Sequence, residues 1–397
     1  MNTKSIQELE DLIISYVYEM SWGQKWDGKP IPADVFKSYL SQVEKLSNLF
    51  TVDREQMGIR YFRKKENRIA YLLYFHLSNM VRASAIIEEM KKRKAWPKKI
   101  ERVMDLGTGS GASLWALAQG ISSPKQLPSL MYALDEDRSI LNDGKKLWHQ
   151  YCKMREITSP NLVSQKVDVL SLKGLEALEI QEKLDLIFCS NLVNEFSLIS
   201  DSGKISLFKY LVDQLLSDDG ALMIMEPASL DISRDLLHLR EMLLDCLDIH
   251  ISLPCSGTQS CPMISDAKDW CHFEIPWDIP RVKKRLEKEL NRNSEVLKYS
   301  YIVIQKGQKK SKRRSKYRSL SPMLKNRDGG YFVLLCSDYD KLSLRSKKGD
   351  KESKQKLKNI QRGDVISLQN CHEDKLDDPK LGKQVWVGQD SKIVIHP

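Results

Sequence analysis

Three cysteines stand within seventeen positions of the stretch SLPCSGTQSCPMISDAKDWCHFEIPWDIP, residues 252–280, in a chain that has eight cysteines in all. Cys255, Cys261 and Cys271 have five and nine residues between them. That is neither the paired C-x-x-C spacing of a zinc ribbon nor a ferredoxin spacing, so spacing alone leaves the metal open. Three thiols make an incomplete site. Cys336, at the end of the apolar run GGYFVLLCS, is one candidate fourth ligand, and His272, beside Cys271, is another. Four thiolates suit tetrahedral zinc or an iron–sulfur cluster, whereas a Cys3His set favours zinc. Pro254, Pro262 and Pro276 make the stretch an irregular loop with little apolar material of its own. A metal cross-link would supply the missing core, the alternative being reduced thiols packed independently.

The second constellation is RVMDLGTGSGASLWALA, residues 102–118. A predicted strand ends at Asp105, Gly107, Gly109 and Gly111 let the backbone turn tightly against a ligand, and a helix begins at Ala112. The glycines alone also satisfy a dinucleotide fingerprint. Asp105 shifts the reading, because a carboxylate there would repel a pyrophosphate yet can pair with the ammonium of S-adenosylmethionine. The next strand ends at Asp135, twenty-four residues past Gly111, where a carboxylate can accept the ribose hydroxyls, and Asp168 closes a third strand near the adenine edge. These acids and glycines are the expected donor-binding residues, and an NAD enzyme is disfavoured.

The elements that must position these groups follow from the texture of the chain. With 41% hydrophobic and 29% charged residues, 397 residues suffice for two or three domains with full cores. The first hundred residues read as helices; Ile69, Leu73, Leu77, Met80, Ser84 and Ile87 fall on one face and are expected to be a packing stripe. From Ile100, the runs RVMDLG, SLMYALD, QKVDVL, LDLIFCSN and GALMIMEP alternate with helical stretches, which predicts a mostly parallel sheet with crossover helices. After Pro254, the runs SYIVIQK, GGYFVLLCS, GDVISL and KQVWVGQDSKIVIHP predict a small antiparallel module. The expected division is a helical region 1–98, a donor-binding domain 99–250, and a Cys-rich, β-rich module 251–397 with a basic insertion.

Charge separates the parts further. Residues 281–362 hold 26 Lys and Arg against 8 Asp and Glu, a net of +18, which leaves −8 for the rest. The densest run, KGQKKSKRRSKYRS from Lys306 to Ser319, has eight basic residues, no acid and one Tyr, as suits an arm on phosphates. The opening MNTKSIQELEDLIISYVYEM shows no secretory or mitochondrial signal, and no apolar run is long enough for a membrane span, so a cytoplasmic protein away from membranes, with reduced thiols, is expected.

Taken over residues 98–250, the chain resembles class I S-adenosylmethionine-dependent methyltransferases, which implies an α/β, Rossmann-like fold. Where members acting on base nitrogens carry Asn-Pro-Pro-Tyr, this chain reads DLIFCSNLVNEF; Cys189 is expected to be buried, and Asn191, Asn194 and Glu195 lie near the strand end. With PC, CPM and DWCHF downstream of MIMEP, the sequence from about residue 60 resembles the methyltransferase-like family of small-ribosomal-subunit assembly, known in mitochondria and bacteria. That resemblance implies a [4Fe–4S] cluster on Cys255, Cys261, Cys271 and Cys336, and association with small-subunit ribosomal RNA. Two functions fit that resemblance: a binding factor that retains the methyltransferase fold, which is the expectation here, and, as the alternative, an active rRNA methyltransferase.

Overall fold

The computed structural model describes residues 3–51, 61–121, 126–255, 259–307, 316–337, 340–374 and 381–396. The chain opens with helices α1 (Thr3–Trp22), α2 (Ala33–Thr51), α3 (Lys65–Tyr71) and α4 (Leu77–Lys92), the last two joined by a π-helical turn at Leu72–His76. Strands and helices then alternate: β1 (Arg102–Leu106), α5 (Ala112–Gly120), β2 (Leu130–Asp135), α6 (Arg138–Met154), β3 (Asn161–Lys166), α7 (Leu172–Glu176), β4 (Leu184–Ser190), α8 (Asp201–Lys209), β5 (Leu216–Glu226), α9 (Leu230–Cys246) and β6 (Ile249–Leu253). Next come β7 (Phe273–Pro276), α10 (Arg281–Glu289), β8 (Val296–Lys306), β9 (Lys316–Ser319), β10 (Leu324–Lys325), β11 (Tyr331–Cys336) and β12 (Lys341–Ser346). The last elements are α11 (Lys351–Lys358), β13 (Val365–Gln369), β14 (His372–Glu373), β15 (Lys383–Trp386) and β16 (Lys392–His396).

The chain forms two compact units. The first comprises residues 1–192, 210–222 and 275–297. In it the strand order is β3-β2-β1-β4-β5, and β1 pairs parallel with both β2 and β4. Val103, Met104, Leu106, Leu186, Ile187, Phe188 and Cys189 are fully buried, as expected of strands covered on both faces by crossover helices. α1 shows the helical stripe plainly, with Ile6, Leu9, Ile13 and Val17 all buried. α6 starts where Asp137 caps it, its carboxylate accepting from Ser139 N at 2.7 Å.

The second unit comprises residues 193–209, 223–274 and 298–397. β5 belongs to both units; in the second its neighbour is β8, which runs antiparallel to β6. The order 3-2-1-4-5, followed by a reversed strand and then β6, is the sheet of a class I methyltransferase. Its reversed strand is SYIVIQK, which the sequence groups with the C-terminal strands. Tyr299, Tyr301, Ile302, Val303 and Ile304 are buried without alternation, and a strand apolar on both faces takes an interior place. β7 pairs with β8, and the other strands form a second sheet, β14-β15-β12-β11-β9-β13-β16, with β10 on β11. It is antiparallel except for the parallel pair β12–β15. Its core is Val333, Leu335, Leu342, Leu344, Leu357 and Ile366. Among the described residues, no helix is long and apolar enough to cross a membrane.

Candidate donor site and thiol cluster

Asp105 is the penultimate residue of β1 and is 1% exposed. Its Oδ2 accepts from Thr108 Oγ1 at 2.7 Å, while Oδ1 is buried with no hydrogen-bond partner among the described residues. Burial pushes this carboxyl up to about 7, against the lowering by Thr108 and with help from Asp135. An unsatisfied buried carboxylate oxygen costs free energy unless a ligand donates to it.

Gly107, Gly109 and Gly111 all take positive φ, at 69°, 53° and 82°, so the turn is one that side-chain-bearing residues resist. Asp135, at the end of β2, turns into this loop: its Oδ2 accepts from Gly109 N at 2.8 Å and its Oδ1 from Asp137 N at 3.0 Å. Burial raises it to about 6, offset by those backbone donors. Asp168 is placed differently. β3 ends at Lys166, two residues before it, and Asp168 is exposed, accepting from Leu170 N at 3.1 Å.

Residues outside the predicted packing stripe of the same helical stretch also meet the turn. Tyr71 Oη lies 3.7 Å from where a Cβ on Gly109 would stand, and it accepts from Asn79 Nδ2 at 3.2 Å. His76 Nδ1 is 2.7 Å from Ser110 Oγ, with its ring edge-on to Trp115; burial lowers its pKa to about 3, so it is neutral. Tyr71 and His76 bracket the π-helical turn, and such turns often accompany functional sites. In α6, a Cβ on Gly144 would come within 3.1 Å of the Ser110 carbonyl carbon and 3.2 Å of Gly109 O. That glycine permits the helix to approach the turn. A signal existed for Gly144, since a glycine inside a helical pattern has a cost that closeness can offset.

At the end of β4, Ser190 Oγ is 3.1 Å from Ser113 Oγ, and Asn191 sits at φ 57°, a left-handed position that Asn tolerates. In the second unit, Val193 N donates to buried Glu226 at 2.8 Å, and Glu195 lies in a 3₁₀ turn; the side chain of Asn194 lies outside the described residues. Cys189 is buried in β4, as expected.

The cysteines converge within the second unit. Cys255, Cys261, Cys271 and Cys336 all line one cavity of about 40 Å³, together with Arg240 and Arg318. Cys261, Cys271 and Cys336 share an apolar cluster with Leu237, Met263 and Leu320. Burial, then the neighbouring thiols, raises Cys271 and Cys336 well above the ordinary thiol range, while Cys261 is pushed up to about 12. His272 is turned away, stacked on Trp270 and 3.5 Å from Glu274. Cys371 packs on the core of the second sheet instead. Among the described residues, no group of three or more His, Cys, Asp or Glu stands close enough to hold a metal ion.

The irregular loop is held by arginines. Arg234 Nη1 donates to the carbonyls of Asp266 at 2.6 Å, Asp269 at 2.9 Å and Met263 at 3.4 Å, and Nη2 to Ile264 at 3.2 Å. Arg240 donates to Gln259 O at 2.9 Å and Arg318 to Pro254 O at 2.6 Å. Each residue of DWCHF has a tie: Asp269 pairs with Lys341, Trp270 stacks on His272, the Cys271 carbonyl accepts from Ser300 Oγ at 2.7 Å, and Phe273 meets Tyr301 edge-on.

Residues 65–365 match the family described as mitochondrial small ribosomal subunit Rsm22, which is most of the chain. The chain belongs to the Rsm22 family. No curated protein matches it. Solved structures of similar fold include an rRNA methylase of Streptococcus thermophilus, 13% identical over 58% of this chain and 97% of that one, with a TM-score of 0.31. Others are a SAM-dependent methyltransferase of Leishmania major, at 11% over 68% and 83% with a TM-score of 0.33, and M. capricolum TrmK with S-adenosylhomocysteine, at 14% over 57% and 71% with a TM-score of 0.31. The fold assignment rests on the strand order and not on these scores.

Proposed function

We propose that this Rsm22-family chain is an S-adenosylmethionine-binding factor of the small ribosomal subunit that contacts ribosomal RNA and carries a [4Fe–4S] cluster. The observation that carries it is the extent of the family match, residues 65–365, which includes both the glycine turn with its unsatisfied Asp105 oxygen and all four converging thiols. Asp105, Gly107, Gly109, Gly111 and Asp135 are the proposed donor contacts; Asp168 would need its loop to turn to join them. Bound S-adenosylmethionine would bring a sulfonium methyl and an ammonium, and Asp105 Oδ1 would accept from the latter.

Cys255, Cys261, Cys271 and Cys336 are the proposed cluster ligands. The four thiols line one cavity, and four thiolates suit an iron–sulfur cluster, with zinc as the alternative. Arg240 and Arg318 in the lining supply positive charge for an anionic cluster. The proposed compartment is one that keeps cluster-ligating thiols reduced: the cytoplasm on the sequence reading, the mitochondrion on the family's description.

The test is complementation by Asp105→Ala in cells lacking the wild-type gene. A factor that needs its fold, cluster and RNA contacts restores small-subunit assembly with this variant. Failure to do so, with labelled methyl groups deposited on small-subunit RNA by the wild type, would establish the methyltransferase alternative instead.

A further inference from the structure

Within the described residues of the basic C-terminal stretch, cations gather round one ring. Lys325 stands opposite Tyr331 across the β10–β11 pairing, and Tyr331 stands opposite Ser346 at the end of β12. Lys347 and Lys348 follow directly, and the Lys348 side chain lies on the hairpin turn, 3.3 Å from where a Cβ on Gly329 would be. From α11, Lys354 holds its Nζ 4.3 Å from the Tyr331 ring centroid, and Lys351 opens the same helix. Lys325, Arg327, Lys347, Lys348 and Lys351 are exposed.

The acids of the same segments, Asp328, Asp350 and Glu352, make local bonds. Asp328 accepts from Gly330 N at 3.2 Å, Asp350 caps α11 through Ser353 N at 3.0 Å, and Glu352 pairs with Lys356 at 2.9 Å. The exposed cations outnumber these acids and concentrate positive charge around the partly exposed Tyr331 ring. Cations spaced round a partly open aromatic fit a chain of phosphates carrying flat bases. A lipid surface would call for a larger apolar anchor beside the charge.

We propose that this face, formed by the β10–β11 hairpin, the β12–α11 turn and the start of α11, grips single-stranded ribosomal RNA by its phosphates. The inference rests on the ribosomal reading above and adds the place of contact. This surface is distinct from the run Lys309, Lys310, Lys312, Arg313 and Arg314, which lies outside the described residues.

The experiment uses the full chain carrying Lys325→Gln, Arg327→Gln, Lys347→Gln, Lys348→Gln and Lys351→Gln together, with fluorescence anisotropy of a labelled oligouridylate over a salt series. The log–log slope is expected to become shallower by about three units, at about 0.7 per phosphate on single strands, with melting temperature unchanged. A companion with Arg at the four lysines keeps the charge and is expected to keep the slope; loss of the slope in this companion would count against a phosphate grip. If the Gln variant retains the full wild-type slope, the patch is wrong and the ribosomal reading stands. If wild type binds neither the oligouridylate nor deproteinised small-subunit RNA, the reading itself falls. If phosphatidylserine vesicles bind the wild type and not the Gln variant, while RNA binding is equal in both, the face is a lipid contact and the proposal is overturned.

Discussion

Asp105 concentrates the chemistry of the proposed donor site in one carboxyl group. With its pKa raised from 3.8 to about 7 by burial, a large share is protonated near neutrality when nothing is bound. A ligand ammonium favours the carboxylate, so affinity for S-adenosylmethionine is expected to rise with pH through about 7 and then level off. The stability of the ligand-free chain has the opposite sign. Because the folded group holds its proton more tightly than the unfolded one, its contribution is fully present below 3.8 and is lost as pH rises through about 7. Asp105→Asn should flatten both profiles and weaken donor binding roughly 10- to 100-fold, read by calorimetry across pH. Affinity that is independent of pH in the wild type would remove Asp105 from the site. The residue was legible in the sequence because an acid before the first glycine is a local pattern. Tyr71, His76 and Asn79 were not, since helix periodicity reports that a side chain is buried and not what it meets. Asp168 shows the converse limit: Val167 and Val169 are buried and read as strand, yet the backbone has already turned after Lys166.

Among the elements, the loop between β6 and β7 departs most from what composition suggests. A Pro-rich stretch with few apolar residues points to a metal as its source of order, yet Arg234 on α9 donates to four of its carbonyls. Charge-assisted bonds of this kind contribute about 1.5–3 kcal/mol each when buried and less at a part-buried site. Arg234→Ala is therefore expected to destabilise the metal-free protein by about 2–4 kcal/mol, seen as a lower urea midpoint and faster amide exchange over residues 261–271. Arg234→Lys, which offers one ammonium for a two-nitrogen fork, should recover only part of it. If the metal-free wild type already exchanges freely through this loop, the clamp is not what orders it. Long-range side-chain bonds to backbone leave no periodic trace, so only the loop's irregularity was legible. The placement of β8 was missed for a related reason: its apolar run is equally consistent with a sandwich strand and with the interior of a sheet.

For the whole molecule, the charge asymmetry and the sheet domain followed by a β-rich module were legible, and Cys336 was a candidate fourth thiol, but spacing alone could not choose between it and His272. Cys336 lies eighty-one positions beyond Cys255, on β11, and joins the others only because the second unit packs β11 near the loop after β6. A cluster bonded at both places would close that long segment covalently, which removes conformational freedom from the unfolded chain. Cys255→Ser, Cys261→Ser, Cys271→Ser and Cys336→Ser should each lower iron and sulfide from about four of each per chain in protein purified without oxygen. Each should also lower the thermal midpoint of the second unit. Cys336→Ser should have the larger structural effect, since it frees the far end of the loop, and the first unit should still bind S-adenosylmethionine. Cys371→Ser is the internal control. Its side chain packs against the second sheet's core and takes no part in the shared cavity, so the variant should keep full iron and lose at most a little stability. One zinc and no sulfide in the wild type would replace the cluster with a single ion, and would require the thiols to close in from the cavity walls they line here.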